Sequence, residues 1–219
     1  GNIAISNGKI ILSPSDLEGS QQIIDGTNLC VSPGFIDVHS HGDIALGKDF
    51  TTLCKVSQGI TTDIAGQCGF TSFPVNPNTL DLLQEDLSIF TDNFDDNMKR
   101  FTSFKKYLDY SSKFDLTYNT MFLIGHCTLR TAVMGFENRK PTSKELDKMK
   151  DLVREAMENG CIGLSSGLIY TPGVYSQTEE LIELCKVVKE YNGRYVTHMR
   201  SESDKLLEAV KEAIYIAET

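Results

Sequence analysis

From residue 33 onward this chain alternates short apolar runs with longer amphipathic ones, and that alternation limits its fold more than any other feature. Strands are expected over residues 35–41, 61–66, 117–125, 161–168 and 194–199, and helices over roughly 50–58, 79–90, 102–112, 142–159, 177–192 and 203–218. Several boundaries carry their own chemistry. Thr142-Ser143-Lys144-Glu145 follows Pro141 and starts one helix, which Asn159-Gly160 ends. Ser176 and Glu179 have capping-box spacing at the start of the next, and Asn192-Gly193 closes it just before strand 194–199. Strands and helices in strict alternation imply a parallel sheet covered by helices, an α/β fold. An open doubly wound sheet and a (β/α)8 TIM-type barrel both fit. No Gly-x-Gly-x-x-Gly follows a strand, which weakens the nucleotide-binding version.

Residues 1–32 read differently. Ile3-Ala4-Ile5 and Lys9-Ile10-Ile11-Leu12 flank Asn7-Gly8, a two-residue hairpin signal, and Gln22-Ile23-Ile24 is a third β-type piece. The expected organisation is a partial small β domain over 1–32 and a barrel portion over 33–219. The 40% hydrophobic and 23% charged composition is that of a globular chain. A net charge of −9 with no basic cluster argues against nucleic-acid binding. No run reaches the ~18 apolar residues of a membrane span, and the first residues lack the pattern of a secretory signal. Six cysteines with no C-x-x-C pair fit reduced thiols in a cytoplasmic protein.

The chemistry gathers at strand ends. Phe35-Ile36-Asp37-Val38-His39-Ser40-His41 reads as a short buried strand closing on a His-x-His pair, and period-two alternation points both imidazoles to one face, able to grip one divalent metal. Cys68 lies in Gly66-Gln67-Cys68-Gly69, whose glycines let the backbone bend and present the thiol; a thiolate is a strong ligand and can bridge two ions. His198 ends the last strand and is a plausible further ligand, although a lone strand-end His is more often a satisfied buried group. His126, Ser165, Tyr170 and Arg200 also fall at or just after strand ends. In a (β/α)8 barrel those ends converge on one mouth, where active sites form.

These residues also carry a family resemblance. Pro33-Gly34-Phe35-Ile36-Asp37-Val38-His39-Ser40-His41, Gly66-Gln67-Cys68-Gly69, Gly125-His126-Cys127-Thr128-Leu129-Arg130, Gly167-Leu168-Ile169-Tyr170 and Thr197-His198-Met199-Arg200 resemble the N-acyl-D-amino-acid deacylases (D-aminoacylases) of the amidohydrolase superfamily. The resemblance implies zinc-dependent hydrolysis of the amide bond of a small N-acyl-D-amino acid. It implies that His39 and His41 bind the more weakly held metal position, and that Cys68 holds the tighter zinc or bridges the two. His198 would be a further ligand of the tighter zinc, and Tyr170 would contact substrate near its free carboxylate. It gives His126 no role. Many superfamily members bridge two metals with a carbamylated Lys on strand four; strand 161–168 has none, and Cys68 stands in its place.

The resemblance also implies residues that this sequence does not contain: a metal-binding His after the next strand, a catalytic Asp late in the barrel, and a substrate-anchoring Arg and Lys. On that reading the chain is a fragment with about five of eight βα units, no catalytic base of its own, and little or no turnover. Asp43 or Glu202 is the stand-in base if turnover occurs. A cyclic-amide hydrolase of the dihydroorotase or hydantoinase type is the competing enzyme, and a non-catalytic metal-binding fragment the competing non-enzyme. An unclosed barrel exposes two strand edges, at 35–41 and 194–199, so self-association is expected.

Overall fold

The computed structural model describes residues 1–14, 19–45, 49–91 and 94–219, with the backbone alone for 49–52. The chain divides into two units, Gly1–Pro33 and Gly34–Thr219. In the first, β1 (Ile3–Ser6) and β2 (Lys9–Leu12) pair antiparallel, with Ser6 opposite Lys9. Asn7 and Gly8 turn between them with φ of 50° and 70°, the left-handed pair that a tight hairpin needs. The β-type piece expected at Gln22–Ile24 is not a strand: among the described residues no partner pairs with it, and Ile23 and Ile24 are exposed.

The second unit runs β3 (Phe35–Asp37), α1 (Asp49–Val56), β4 (Ile60–Ala65), α2 (Leu80–Leu87), α3 (Phe104–Ser111), β5 (Asn119–Phe122), β6 (Ile124–Gly125), α4 (His126–Met134), α5 (Ser143–Glu158), β7 (Gly163–Gly167), α6 (Thr178–Glu190), β8 (Arg194–His198) and α7 (Leu206–Glu218). All its strand pairs are parallel, in the orders β3-β4-β5 and β6-β7-β8. The expected strand 117–125 is interrupted at Leu123, yet bonds continue across the break: Leu123 N donates to Ala65 O (3.0 Å) and Ile162 N to Phe122 O (2.8 Å). Spatial order therefore follows chain order without reversal. That is the winding of a (β/α)8 barrel; a doubly wound sheet would reverse. Among the described residues the sheet does not close.

Three local expectations need correction. The strand at 35–41 is neither that long nor buried. β3 ends at Asp37 and among the described residues pairs only with β4, and Phe35, Ile36 and Val38 are exposed. Ser176 does not cap α6: the cap residue is Gln177, without a side-chain bond, because the Ser176 hydroxyl donates to Gly173 O (2.6 Å). Helix α4 had no forecast. Its His, Cys, Thr and Val content is poor in helix formers and it lacks a side-chain cap, but seven of its nine residues are buried, so packing overrides propensity.

The core lies between the sheet and helices α2 to α6. Its densest part is aromatic: the Phe73 ring centroid sits 4.9 Å from Phe104 and 4.7 Å from Tyr107, with Phe122 edge-on at 6.2 Å. Helix α5 starts where expected and carries a capping box not assigned to it from sequence, Thr142 Oγ1 accepting from Glu145 N and Glu145 accepting from Thr142 N. This scaffold holds the C-terminal ends of β4, β6 and β7 rigidly against one another, and the site grows from those ends.

Candidate metal centre

His39, His41 and Cys68 come together: one ligand atom from each lies within 4.8 Å of the other two. Cys68 Sγ and His39 Nε2 are 3.3 Å apart. His39 is exposed and Cys68 buried. His41 is half-buried; its ring stacks on Phe90 at 4.1 Å, and its Nδ1 is buried without a protein partner. Burial, then the nearby charge of His39, pushes the His41 imidazole down to about 4, so it is neutral and ligand-ready at physiological pH.

Cys68 is placed by backbone geometry that few residues accept. It is a non-glycine with φ of 56°, between Gly66 (φ 83°) and Gly69 (φ 81°). Such strain persists where surrounding bonds over-determine it. Here they do. Ser165 Oγ on β7 donates to Gly66 O and accepts from Gly69 N (3.0 Å). Asp43, 2% exposed, accepts from Gly66 N (3.1 Å) and Ser72 N (2.9 Å). Gly167 lets β7 pass so close that a Cβ there would sit 2.0 Å from Cys68 O. Burial lifts the Asp43 carboxyl to about 7 against the pull of its backbone donors. Ser165 and Asp43 thus brace the thiol loop; neither reaches into the site as a reacting group.

The three side chains fit a zinc ion. Two nitrogens and a sulfur are its preferred donors, and ligands of one tetrahedral zinc lie about 3.3–3.6 Å apart, the separation already present between Cys68 and His39. The buried, unpartnered His41 Nδ1 is a second mark of a site built for an ion. Burial and the charge of Glu202 raise the Cys68 thiol above its ordinary value, so it holds its proton at neutral pH and a cation would have to displace it.

His198 stands outside this group of three among the described residues. Both its nitrogens are occupied, Nδ1 by the Tyr170 hydroxyl (3.2 Å) and Nε2 by Glu202 Oε1 (3.2 Å). Tyr170 is half-buried, its ring 4.8 Å from His198 and 5.3 Å from Phe70, and burial followed by the Cys68 and Glu202 charges raises its hydroxyl. Arg200 turns away, clamped on Glu212 by Nε (2.9 Å) and Nη2 (2.9 Å). His126 is fully buried: its Nε2 meets Glu180 Oε1 (2.8 Å), and Glu180 Oε2 accepts from Arg130 Nη1 (2.5 Å). This ion network ties α4 to α6 behind the mouth. Sequence reasoning missed Glu180, Ser165 as a brace, and the aromatic residues Phe70 and Phe90; only spatial proximity links them to the site.

Residues 22–214 match the amidohydrolase family. The chain belongs to that family. It is 39% identical over 197 residues to the D-aminoacylase of Alcaligenes xylosoxydans xylosoxydans, covering 88% of this chain and 39% of that protein. To the N-acyl-D-aspartate deacylase of the same organism it is 35% identical over 222 residues, covering 99% of this chain and 43% of that protein. A crystal structure of D-aminoacylase superposes with a TM-score of 0.74 at 36% identity, over 85% of this chain and 38% of that one. The N-acyl-D-glutamate deacylase of Bordetella bronchiseptica, solved with zinc and a phosphonate inhibitor, gives 0.73 at 33% identity, over 84% and 38%. This amidohydrolase-family chain thus spans roughly two fifths of the length of these relatives, and its parallel strands match part of their barrel. No helix among the described residues is long and apolar enough to cross a membrane.

Proposed function

We propose that this chain carries the metal-binding part of a zinc-dependent N-acyl-D-amino-acid deacylase, which hydrolyses the substrate amide to a carboxylic acid and a free D-amino acid. The observation that carries this reading is the convergence of His39, His41 and Cys68 within 4.8 Å. Its support is the family membership and the deacylases among the relatives. When bound, zinc lowers the pKa of a coordinated water from 15.7 to about 7 and polarises a carbonyl. His39, His41 and Cys68 hold the ion. His198 joins as a further ligand by exchanging one of its two hydrogen-bond partners. Tyr170 presents its hydroxyl to the substrate near the free carboxylate, backed by Phe70.

Glu202 is the carboxylate whose charge reaches both Cys68 and Tyr170, while Asp43 is consumed by backbone donors. Glu202 is bound to His198 and largely exposed, a poor setting for a dedicated base. Residues 1–219 alone are therefore expected to bind zinc with no measurable turnover. Strand β7, Gly-Leu-Ser-Ser-Gly, offers no Lys for a bridging carbamate, which disfavours the cyclic-amide alternative. Free thiols at all six cysteines favour a reducing, cytoplasmic setting.

Elemental analysis of residues 1–219 after dialysis, with assay of the full-length protein on N-acetyl-D-amino acids, their L-enantiomers and hydantoins, tests the reading. The expected result is about one bound zinc per chain. A chain that retains no zinc overturns it, as does turnover of hydantoins in preference to N-acetyl-D-amino acids.

A further inference from the structure

Strand β3 stops at Asp37, so no ladder hydrogen bond reaches the segment carrying the two histidines. Side chains hold it instead. Asp37 Oδ1 accepts from His39 N (3.2 Å), and Gln67 Nε2 donates to Val38 O (2.8 Å). Ser40, buried between the histidines in sequence, donates to Asp63 Oδ2 (3.1 Å) and accepts from Gly42 N (2.9 Å). Gly42 is required there, since a Cβ would lie 2.5 Å from Asp63 Oδ2.

Asp37 and Asp63 are register partners on neighbouring strands, and Asp63 is fully buried. Like charges directly opposite across a strand pair repel, and a buried charge without a partner is strongly unfavourable. Lys55 of α1 resolves both problems: its ammonium donates to Asp37 Oδ2 and, at 3.0 Å, to Asp63 Oδ1. Its side chain is 14% exposed, so solvent screens the contact weakly.

We propose that Lys55 is a positioning residue for the metal centre: by clamping Asp37 and Asp63 it fixes the His39 N–H and the Ser40 hydroxyl, and through them aims the His39 and His41 rings at Cys68. This rests on the reading that those three side chains hold a metal. Supporting partners of ligands characteristically change affinity 10–100-fold when removed. Lys55 acts at one remove, through the backbone of the ligands.

The test measures zinc affinity by chelator competition in the wild-type chain and in Lys55→Met, Lys55→Arg and Ser40→Ala, with Lys105→Met as a surface control. Cobalt(II) loading adds the thiolate charge-transfer band as a report on ligand geometry, and far-UV circular dichroism of the metal-free proteins reports the fold. Lys55→Met and Ser40→Ala are expected to weaken zinc about tenfold or more and to shift the cobalt band with the fold retained; Lys55→Arg recovers most of the affinity, and Lys105→Met matches wild type. Should Lys55→Met fail to fold, Ser40→Ala decides, because it leaves the ion pairs in place. Wild-type zinc affinity and cobalt spectrum in Ser40→Ala, or in a folded Lys55→Met, overturn the proposal while leaving the metal reading intact. A wild-type chain that binds no zinc overturns both.

Discussion

Cys68 Sγ and His39 Nε2 meet at 3.3 Å although 29 positions separate them in the chain. The two residues follow the ends of the neighbouring parallel strands β3 and β4, and the backbone at Cys68 turns left-handed, with φ of 56°.

Removal of the thiol should therefore remove the ion. Cys68→Ala is expected to lose most bound zinc, whereas Cys54→Ala and Cys185→Ala keep it. Metal analysis after dialysis checks this; equal losses in all three would return Cys68 to the inert thiols. Zinc affinity should also climb with pH. The thiol lies above its ordinary value of 9.0 and must be deprotonated, so each pH unit below that point costs about tenfold in affinity. His41, neutral above about 4, adds nothing to the slope between pH 6 and 8. A flat profile from pH 6 to 8 would contradict thiolate ligation.

Gly167→Ala should damage the site without replacing a ligand side chain. The added methyl collides with Cys68 O and with the Tyr170 ring. Overpacking of this kind costs about 1–3 kcal/mol. Urea denaturation and zinc titration should show both a lowered midpoint and weakened binding.

Glu180→Ala is expected to destabilise the chain by about 3–5 kcal/mol, because Arg130, fully buried, loses its carboxylate. Burial works against the Glu180 charge, but His126 and Arg130 hold its carboxyl below the ordinary value. Equilibrium unfolding measures the effect; a loss under about 1 kcal/mol would show that another group satisfies Arg130.

The start of α5 should report acid. Arg139, then the Thr142 N–H, hold the Glu145 carboxyl down at about 2 against an ordinary 4.5. A depressed carboxyl contributes stability that is complete above its unfolded value and disappears as pH falls toward its folded one. Glu145→Gln should therefore be less stable than wild type at pH 6 and equal to it near pH 2. Thr142→Ala should cost about 1 kcal/mol at neutral pH through loss of the cap.

Self-association is the last expectation. Phe35 and Ile36 on the β3 edge are 58% and 60% exposed, and Leu207, Ile214 and Tyr215 project from α7. Such surfaces recruit partners. Light scattering on dilute protein should give a mass above that of one chain; a cooperatively melting monomer would contradict this.

Much of this architecture was readable from periodicity, because helices α2, α3, α5, α6 and α7 and strands β4, β7 and β8 each agree with local pattern and boundary chemistry. The failures share a cause. Helix α4 is held by burial that its composition does not advertise, and β3 ends at Asp37, with side-chain bonds and not a strand ladder holding the residues after it. The His-x-His pair and Cys68 were recognisable as candidate ligands from residue type, and the fold brings them within 4.8 Å of one another. What aims them was not: Lys55, Asp63 and Ser165 act through contacts between separate strands and helices, and no spacing rule connects Ser165 to Gly66 or Lys55 to Ser40.

The left-handed backbone at Cys68 also bears on how this centre could change over evolutionary time. Asp, like Asn and His, tolerates positive φ far better than β-branched residues do. A Cys68→Asp exchange would keep the loop and a negatively charged donor while trading soft sulfur for hard oxygen, moving preference away from zinc toward manganese or magnesium. If Cys68 holds the ion as proposed, metal preference would change at this single position with the loop kept, whereas Val or Ile there would strain the loop and remove the donor.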